Sequence, residues 1–159
     1  SLYPILSTRF DTTNRLEARS IHERAASLED SAFILRSPYT LLVGVGMHGY
    51  VFDAAVRRPF LEAYAYQPIH NVPLLILAEL GLVGLTLVVA LVVASDWRVH
   101  VYWRRPASLM AMSLGVVVLV VALFDHYMWT QVSGMYLLAT FFILNTKLGQ
   151  LSEQSEKEA

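Results

Sequence analysis

The hydrophobic residues are concentrated in three long runs in the second half of the chain. The first run, at 72–94, carries one charge, Glu79, and the second, at 107–124, carries none. The third run, at 127–148, is less uniform and contains Lys147 near its end. Because a helix of about 20 apolar residues crosses the hydrocarbon core of a bilayer, these runs predict three transmembrane helices. The predicted fold class is therefore all-α, a polytopic helical membrane protein.

Residues 1–71 alternate short apolar pieces with polar ones, as in a largely helical loop that lies on a bilayer or caps a bundle. The clearest element is an amphipathic helix at about 20–36, in which Ser20 and Glu23 have the spacing of an N-terminal capping box. The pattern is also typical of an ordinary packing helix. The apolar face contains Ile21, Ala25, Leu28, Ala32 and Leu35. The polar face, which we expect to be solvated, contains Glu23, Arg24, Ser27, Glu29 and Asp30.

The distribution of positive charge predicts the orientation of the spans. The link at 95–106 holds three arginines against one aspartate, whereas the turn at 125–131 holds no lysine or arginine. Because cytoplasmic loops are enriched in Lys and Arg, we expect the link to be cytoplasmic. Residues 1–71 then form an extracytoplasmic loop. The polar tail at 149–159 is expected to be cytoplasmic and disordered.

Composition narrows the class of protein further. Of the 159 residues, 55% are hydrophobic and 16% are charged, which is more apolar than a typical soluble domain. The net charge of -1 gives no basic excess, so we expect no nucleic-acid partner. The absence of cysteine excludes disulfide scaffolds, thiolate metal sites and thiol nucleophiles. Because the first residue is Ser1 and not methionine, we expect the chain to be part of a longer protein.

A glycine-containing segment, TLLVGVGMHGYVF at 40–52, is a candidate loop for phosphate binding. It lacks the GxxxxGK[ST] order of a P-loop, and its GVGMHG has only a loose likeness to GxGxxG. The strand and helix that a dinucleotide-binding motif requires are not predicted around it. A nucleotide site in this segment is therefore rejected.

A cluster of polar and small residues begins directly before the first predicted span. The stretch reads H-N-x-x-L-x-x-x-x-E-x-G-x-x-G, with His70, Asn71, Leu74, Glu79, Gly81 and Gly84. Upstream come Glu23-Arg24, the amphipathic helix, Ser37-Pro38 and Gly44-Val45-Gly46. This ordered set, over about residues 20–90, resembles the O-antigen ligase and O-antigen polymerase family.

The resemblance implies an enzyme of the bacterial inner membrane with several spans and a periplasmic loop. Such a glycosyltransferase moves a glycan from a polyprenyl diphosphate, such as undecaprenyl diphosphate, to a glycan or to the lipid core of lipopolysaccharide. Members of the family are longer, so this chain corresponds to the C-terminal part and lacks N-terminal transmembrane helices. We expect it to be inactive alone. Ligase and polymerase activities both remain open.

The resemblance also implies that Arg24 and His70 are the functional pair, with no cofactor. The planar guanidinium of arginine matches phosphate oxygens, so Arg24 is the first candidate to bind the diphosphate and Arg36 the second. Histidine is a base near neutral pH, which suits His70 to take the proton of the acceptor hydroxyl. With no DxD motif in the sequence, metal-independent transfer is expected. The second arginine of the family is not located, with Arg9 and Arg15 as its only guesses.

Other polar residues near His70 have two interpretations each. Asn71 either orients substrate or caps the helix that follows. Tyr64 and Tyr66 are candidates to stack on sugar rings, although tyrosine is common at membrane interfaces. The turn at Asp125 and His126 lies on the same side as His70, which makes it a candidate to line the site, although an interfacial polar turn is its simpler interpretation.

Within the first predicted span, Glu79, Gly81 and Gly84 are expected to be structural. A carboxyl group at bilayer depth costs about 2.5 to 3.5 kcal/mol and normally faces a partner inside the bundle. For Glu79, helices outside this chain are one possible place for that partner. The two glycines offer a flat patch that another helix can approach closely.

Two other functions fit parts of the sequence. A transporter of the same lipid-linked sugar would need polar groups along the whole bilayer depth, whereas Glu79 is the single deep charge in the first span. A non-catalytic assembly subunit would tolerate substitution of His70. Both remain alternatives to the enzyme at this point.

Overall fold

The computed structural model describes residues 15–60 and 66–158, with the backbone alone for 15–20. Every regular element in these ranges is an α-helix. The helices are α1 Arg15–Ile34, α2 Pro38–Val43, α3 Gly49–Arg57, α4 Val72–Val101, α5 Pro106–Phe124, α6 Tyr127–Thr130 and α7 Val132–Lys157. The predicted all-α class is therefore correct for the described residues.

Three helices, α4, α5 and α7, pack against one another as a bundle. The α1, α2 and α3 helices contact α4, and α6 contacts α5 and α7. Two of the bundle helices, α4 and α5, are long and apolar enough to span a membrane. Only 22% and 11% of the residues in their most apolar stretches are buried, whereas the core helix of a soluble protein is mostly buried. The exposed apolar surface therefore indicates association with a membrane.

Three of the four predicted ends of these two helices agree with the structure to within one residue. The α4 helix begins at Val72 and α5 runs from Pro106 to Phe124, against predictions of 72 and 107–124. The predicted link at 95–106 is shorter than expected because α4 continues to Val101. The amide of Asn145 on α7 donates to the carboxylate of Asp96 at 2.6 Å, which holds this extension against the bundle.

The third predicted run is divided between two helices. Gln131 has an extended backbone between α6 and α7, and α7 continues to Lys157. The expectation of a disordered tail at 149–159 is therefore wrong for residues 149–157. Gly149 and Ser152 are buried, and the hydroxyl of Ser152 lies 2.8 Å from that of Ser108 on α5. Small side chains on the polar tail let it pack closely, which overrides the tendency of a polar sequence to stay disordered.

The α4 helix is broken at Gly81, where φ is 67° and ψ is −169°. The carbonyl groups freed by the break accept hydrogen bonds from the segment after α2. Val45 N–H donates to the carbonyl of Ala78 at 3.0 Å, and Gly46 N–H donates to that of Glu79 at 2.8 Å. Buried backbone groups need such partners, most of all in apolar surroundings, so this segment completes the broken helix.

Two glycines make this close approach possible. Gly44 has φ 72° and ψ −169°, nearly the same backbone conformation as Gly81. A methyl group on Gly44 would lie 2.1 Å from the carbonyl oxygen of Glu79, and one on Gly81 would lie 2.3 Å from that of Leu42. The sequence interpretation of Gly81 as a point of close approach is thus supported, but the neighbour is the end of α2. At Gly84 the nearest atoms belong to Leu80 of the same helix.

The α1 helix differs from its prediction at its start and in its orientation. It is already helical at Arg15, so Ser20 and Glu23 lie within it and do not cap its N-terminus. Its predicted apolar face points outward, with Ile21 and Leu28 more than half exposed. The buried residues of α1 include Asp30, Ser31 and Ile34. The helix therefore turns its polar side toward the protein.

Candidate functional site at the start of α4

His70 and Asn71 lie between α1 and the C-terminal end of α5, directly before α4 begins. The Asn71 side chain accepts a hydrogen bond from the backbone N–H of Leu74 at 2.9 Å, which caps the helix. Its amide nitrogen donates to the carbonyl of Leu123 at 3.1 Å. Both ends of the Asn71 amide are thus used to start α4 and to fasten it to α5. Of the two interpretations of Asn71, these contacts support the helix cap.

Arg24 and His70 line one cavity of about 180 Å³, here named the Arg24 cavity. Its wall also includes Leu28, Leu123 and Phe124, so an apolar surface lies beside the guanidinium. Arg24 is exposed, and its guanidinium has no ion-pair partner among the residues that the structure describes. A permanent cation beside an apolar wall is suited to an anion that carries a hydrocarbon chain.

A second cavity, of about 190 Å³ and here named the Tyr50 cavity, also contains His70 in its wall. Its polar lining includes Glu23, Asp30, Tyr50, Arg58, Tyr66 and Gln67. His70 and Ser27 line both cavities, so the imidazole lies at the boundary between them. A group in that position can exchange a proton with molecules on either side.

Asp30 is buried, contrary to the expectation of a solvated helix face. Its carboxylate pairs with Arg57 at 3.1 Å and with Arg58 at 2.8 Å. Arg57 also pairs with Asp53 on its own helix and lies over the ring of Phe33. These contacts join α1 to the end of α3 and form one wall of the Tyr50 cavity. The large separation of Asp30 from the two arginines along the chain hid the pairing from the sequence pattern.

Two tyrosine hydroxyl groups help to shape the Tyr50 cavity. Tyr50 is almost fully buried and donates to the carbonyl of Ser27 at 3.2 Å. Burial, reinforced by the charge of Asp30, raises the pKa of Tyr50 to about 12, so its phenol stays neutral at ordinary pH. The hydroxyl of Tyr66 donates to the carbonyl of Arg58, which leaves its ring as the part available to a ligand. Tyr64, the other predicted stacking residue, lies outside the described residues.

His126 is a residue of the site that the sequence interpretation left in an interfacial turn. Its ring packs edge-on against the ring of His70, with 4.9 Å between the ring centroids. Its Nδ1 lies 2.7 Å from the hydroxyl of Thr130. Burial, with a further contribution from His70, lowers the pKa of His126. The predicted spans placed His126 on the same side as His70, but no spacing rule gives the contact between the two rings, which the folded structure shows.

Arg36 and Glu79 do not belong to this cluster. Arg36 follows the end of α1, is exposed near the ring of Phe33, and is absent from the walls of both cavities. Glu79 is buried, and its carboxylate accepts a hydrogen bond from the indole of Trp129 at 3.0 Å. A partner for Glu79 therefore lies within this chain, on α6. The structural role expected for Glu79 agrees with this contact.

The described residues contain no group of three or more His, Asp or Glu side chains arranged to hold a metal ion. The Arg24 cavity presents an anion-binding group, and the Tyr50 cavity presents both hydrogen-bond donors and hydrogen-bond acceptors. His70 lies between the two cavities. Comparison with protein-family models, with curated proteins and with solved structures found no match in any of the three.

Proposed function

We propose that this chain carries the active-site region of a membrane glycosyltransferase of the O-antigen ligase or polymerase type. The donor would be a glycan on a polyprenyl diphosphate, and the acceptor another glycan or a lipid core. One observation carries the proposal: Arg24 on α1 and His70 before α4 line the same cavity. The sequence resemblance names the same two residues as the functional pair.

The Arg24 cavity would receive the diphosphate of the donor. Arginine binds phosphate oxygens through two parallel hydrogen bonds, which are charge-assisted and therefore strong. Leu123 and Phe124 end α5 at this cavity, and Phe124 is 67% exposed. Further exposed apolar side chains continue along α5, namely Val116, Val117, Leu119 and Val120. A polyprenyl chain attached to the diphosphate would lie along this surface.

The transfer step requires a base beside the acceptor hydroxyl. That oxygen attacks the anomeric carbon of the donor sugar, and the bond from this carbon to the diphosphate oxygen breaks. The diphosphate leaves with the bonding electron pair, while the hydroxyl proton passes to His70. The acceptor would occupy the Tyr50 cavity, whose carboxylate oxygens and amide can hydrogen-bond sugar hydroxyl groups and whose Tyr66 ring can stack on a sugar. Arg24 would balance the negative charge that develops on the leaving group.

The proposed setting is the bacterial inner membrane, with α7 as a third span beside α4 and α5. The basic residues near the end of α4 lie at the other end of this helix from His70, and they include Arg98, Arg104 and Arg105. The positive-inside rule then puts that end in the cytoplasm and the two cavities in the periplasm. The outward apolar face of α1 would contact lipid or the upstream helices of a longer protein.

Transfer by the full-length protein in vesicles, with lipid-linked donor and acceptor supplied, tests the proposal. His70→Ala should lower the rate by about 10²- to 10⁴-fold, the range for loss of a catalytic base. Arg24→Ala should lower it by about 10²- to 10³-fold, the range for loss of a group that stabilises developing negative charge. Arg36→Ala separates the two arginine candidates and should leave the rate within about twofold, because Arg36 is absent from both cavity walls. Arg104→Ala, at the other end of α4, is the matched control.

Membrane insertion and protein level must be equal in all variants for the comparison to be valid. Unchanged product with both Arg24→Ala and His70→Ala would contradict the proposal. If, in addition, the protein copurified tightly with a separate polytopic enzyme, the assembly-subunit interpretation would replace it.

A further inference from the structure

We propose that His126 is a positioning residue that holds the imidazole of His70 at the boundary between the two cavities. The proposal rests on the proposed function, in which His70 is the base. It is carried by the edge-on contact of the two rings and by the anchoring of His126 to Thr130. The turn between α5 and α6 thereby becomes part of the active site.

The His126 ring is fixed by its own turn. The backbone N–H groups of Trp129 and Thr130 donate to the carbonyl of His126 at 2.9 and 3.1 Å. The Thr130 hydroxyl lies 3.2 Å from the same carbonyl and 2.7 Å from Nδ1 of the ring. The hydroxyl therefore bridges the main chain and the ring of His126, and this bridge anchors the ring to its own turn.

The His70 side chain depends on this neighbour for its orientation. His70 is half-buried, and its ring lies against the ring of His126 at an interplanar angle of 69°. Such T-shaped ring pairs are a preferred arrangement and restrict the rotation of both rings. Because a displacement of about 1 Å can slow catalysis about 10²-fold, a ring that holds the base in place has a large effect on rate.

The charge state of His126 favours the same role. A neutral His126 can remain beside His70 when His70 takes up the acceptor proton, whereas two imidazolium rings in contact would repel each other. Burial keeps His126 toward its neutral form. Other charged or titratable groups surround the two histidines. The α1 helix contributes His22, Glu23, Arg24 and Asp30, the rest of the Tyr50 cavity contributes Arg58 and Tyr66, and Asp125 adjoins His126.

Kinetics of the full-length protein separate positioning from proton transfer by His126. His126→Ala removes the ring and should lower kcat by about 10- to 100-fold, with KM for the donor changed by less than about threefold. His126→Phe restores a ring that cannot carry a proton, and should recover most of the loss. Thr130→Val removes the anchoring hydroxyl and should give an intermediate kcat. His100→Ala, an exposed histidine at the other end of α4, is the matched control and should match wild type.

A spectroscopic measurement tests the contact without relying on turnover. With histidine-labelled full-length protein in nanodiscs, the His70 ring signals are assigned by their loss in His70→Gln. The chemical shifts of His70 should change in His126→Ala, while His100→Ala should leave them in place.

These experiments distinguish failure of the positioning role of His126 from failure of the proposed glycosyltransferase function. If wild type transfers glycan and His126→Ala keeps full kcat, the positioning role is overturned and the glycosyltransferase proposal stands. If His126→Phe is no better than His126→Ala, positioning is overturned in favour of proton transfer by His126. If wild type shows no transfer while the His70 signals still respond to His126→Ala, the proposed function fails and the structural coupling stands.

Discussion

The carboxylate of Glu79, buried in α4, accepts a hydrogen bond from the indole nitrogen of Trp129 on α6 at 3.0 Å. This single contact joins the helix that begins at the candidate site to the turn that carries His126. It also answers how an acidic residue is accommodated inside an apolar helix bundle. The stability of the bundle should therefore depend on the indole nitrogen as well as on the carboxylate.

Replacing Trp129 with Phe should destabilise the protein by about 1 to 3 kcal/mol, because it leaves a buried acceptor without its donor. Glu79→Gln keeps an acceptor oxygen for the indole and should cost less than Trp129→Phe. Thermal unfolding in detergent, followed by circular dichroism, measures both. Equal stability of Trp129→Phe and wild type would show that the hydrogen bond contributes nothing.

Gly44 and Gly81 lie where two backbone segments approach closely, so substitution by alanine should reduce stability far more at these two glycines than at Gly115. Gly44→Ala and Gly81→Ala each put a methyl group into neighbouring backbone and a side chain onto a residue with positive φ. Each should cost at least about 1 to 3 kcal/mol and lower the yield of folded protein. Gly115→Ala is the matched control, because the nearest atoms to its methyl group would be those of the Phe141 ring, at 3.9 Å. It should be neutral or stabilising by up to about 1 kcal/mol, since alanine favours a helix interior.

The pairing of Asp30 with Arg57 and Arg58 predicts that α1 detaches when the carboxylate is lost. Asp30→Asn removes the negative charge from a buried position between two cations, and should destabilise the packing of α1 by about 1 to 3 kcal/mol. Glu29→Gln, on an exposed neighbouring position, should change stability by less than about 0.5 kcal/mol. Limited proteolysis of the segment around α1 reports the difference. Equal cleavage rates in the two variants would contradict the pairing.

Tyr50 predicts a loss of stability at alkaline pH. Its pKa is raised by burial from the ordinary value of 10.0 to about 12, so the folded state keeps the phenol proton after the unfolded state has lost it. The stabilisation is complete below pH 10 and is lost as the pH rises toward 12. Tyrosinate absorbance should show one late-titrating group that disappears in Tyr50→Phe. A spectrum in which Tyr50→Phe removes a group titrating at about 10 would contradict the burial.

The sequence was sufficient for those parts of the fold in which local pattern and burial agree. The start of α4 at Val72 follows from the Asn71 cap and the apolar run, and the limits of α5 follow from Pro106 and from uncharged residues up to Phe124. That Arg24 and His70 line the same cavity was expected from the resemblance. Each of these features depends either on a single segment of the sequence or on motifs that follow one another in a fixed order along the chain.

Other features depend on interactions that no local pattern records. The α1 helix was expected to bury its apolar face, because that is what a helix with water on its other side does. In the structure Asp30 and Ser31 face inward, and Leu28 faces outward. The contacts of Asp30 with Arg58 and of His70 with His126 join distant segments, so they become visible only when the chain is folded. In the tail, Ser152 and its neighbours read as disordered because their packing partners lie on other helices.

The break in α4 also bears on which substitutions the joint can tolerate. Val45 and Gly46 are joined to Ala78 and Glu79 by hydrogen bonds between main-chain atoms. A substitution that leaves the backbone conformation unchanged therefore keeps both hydrogen bonds available, whereas one that displaces the backbone at Gly44 or Gly81 weakens both at once.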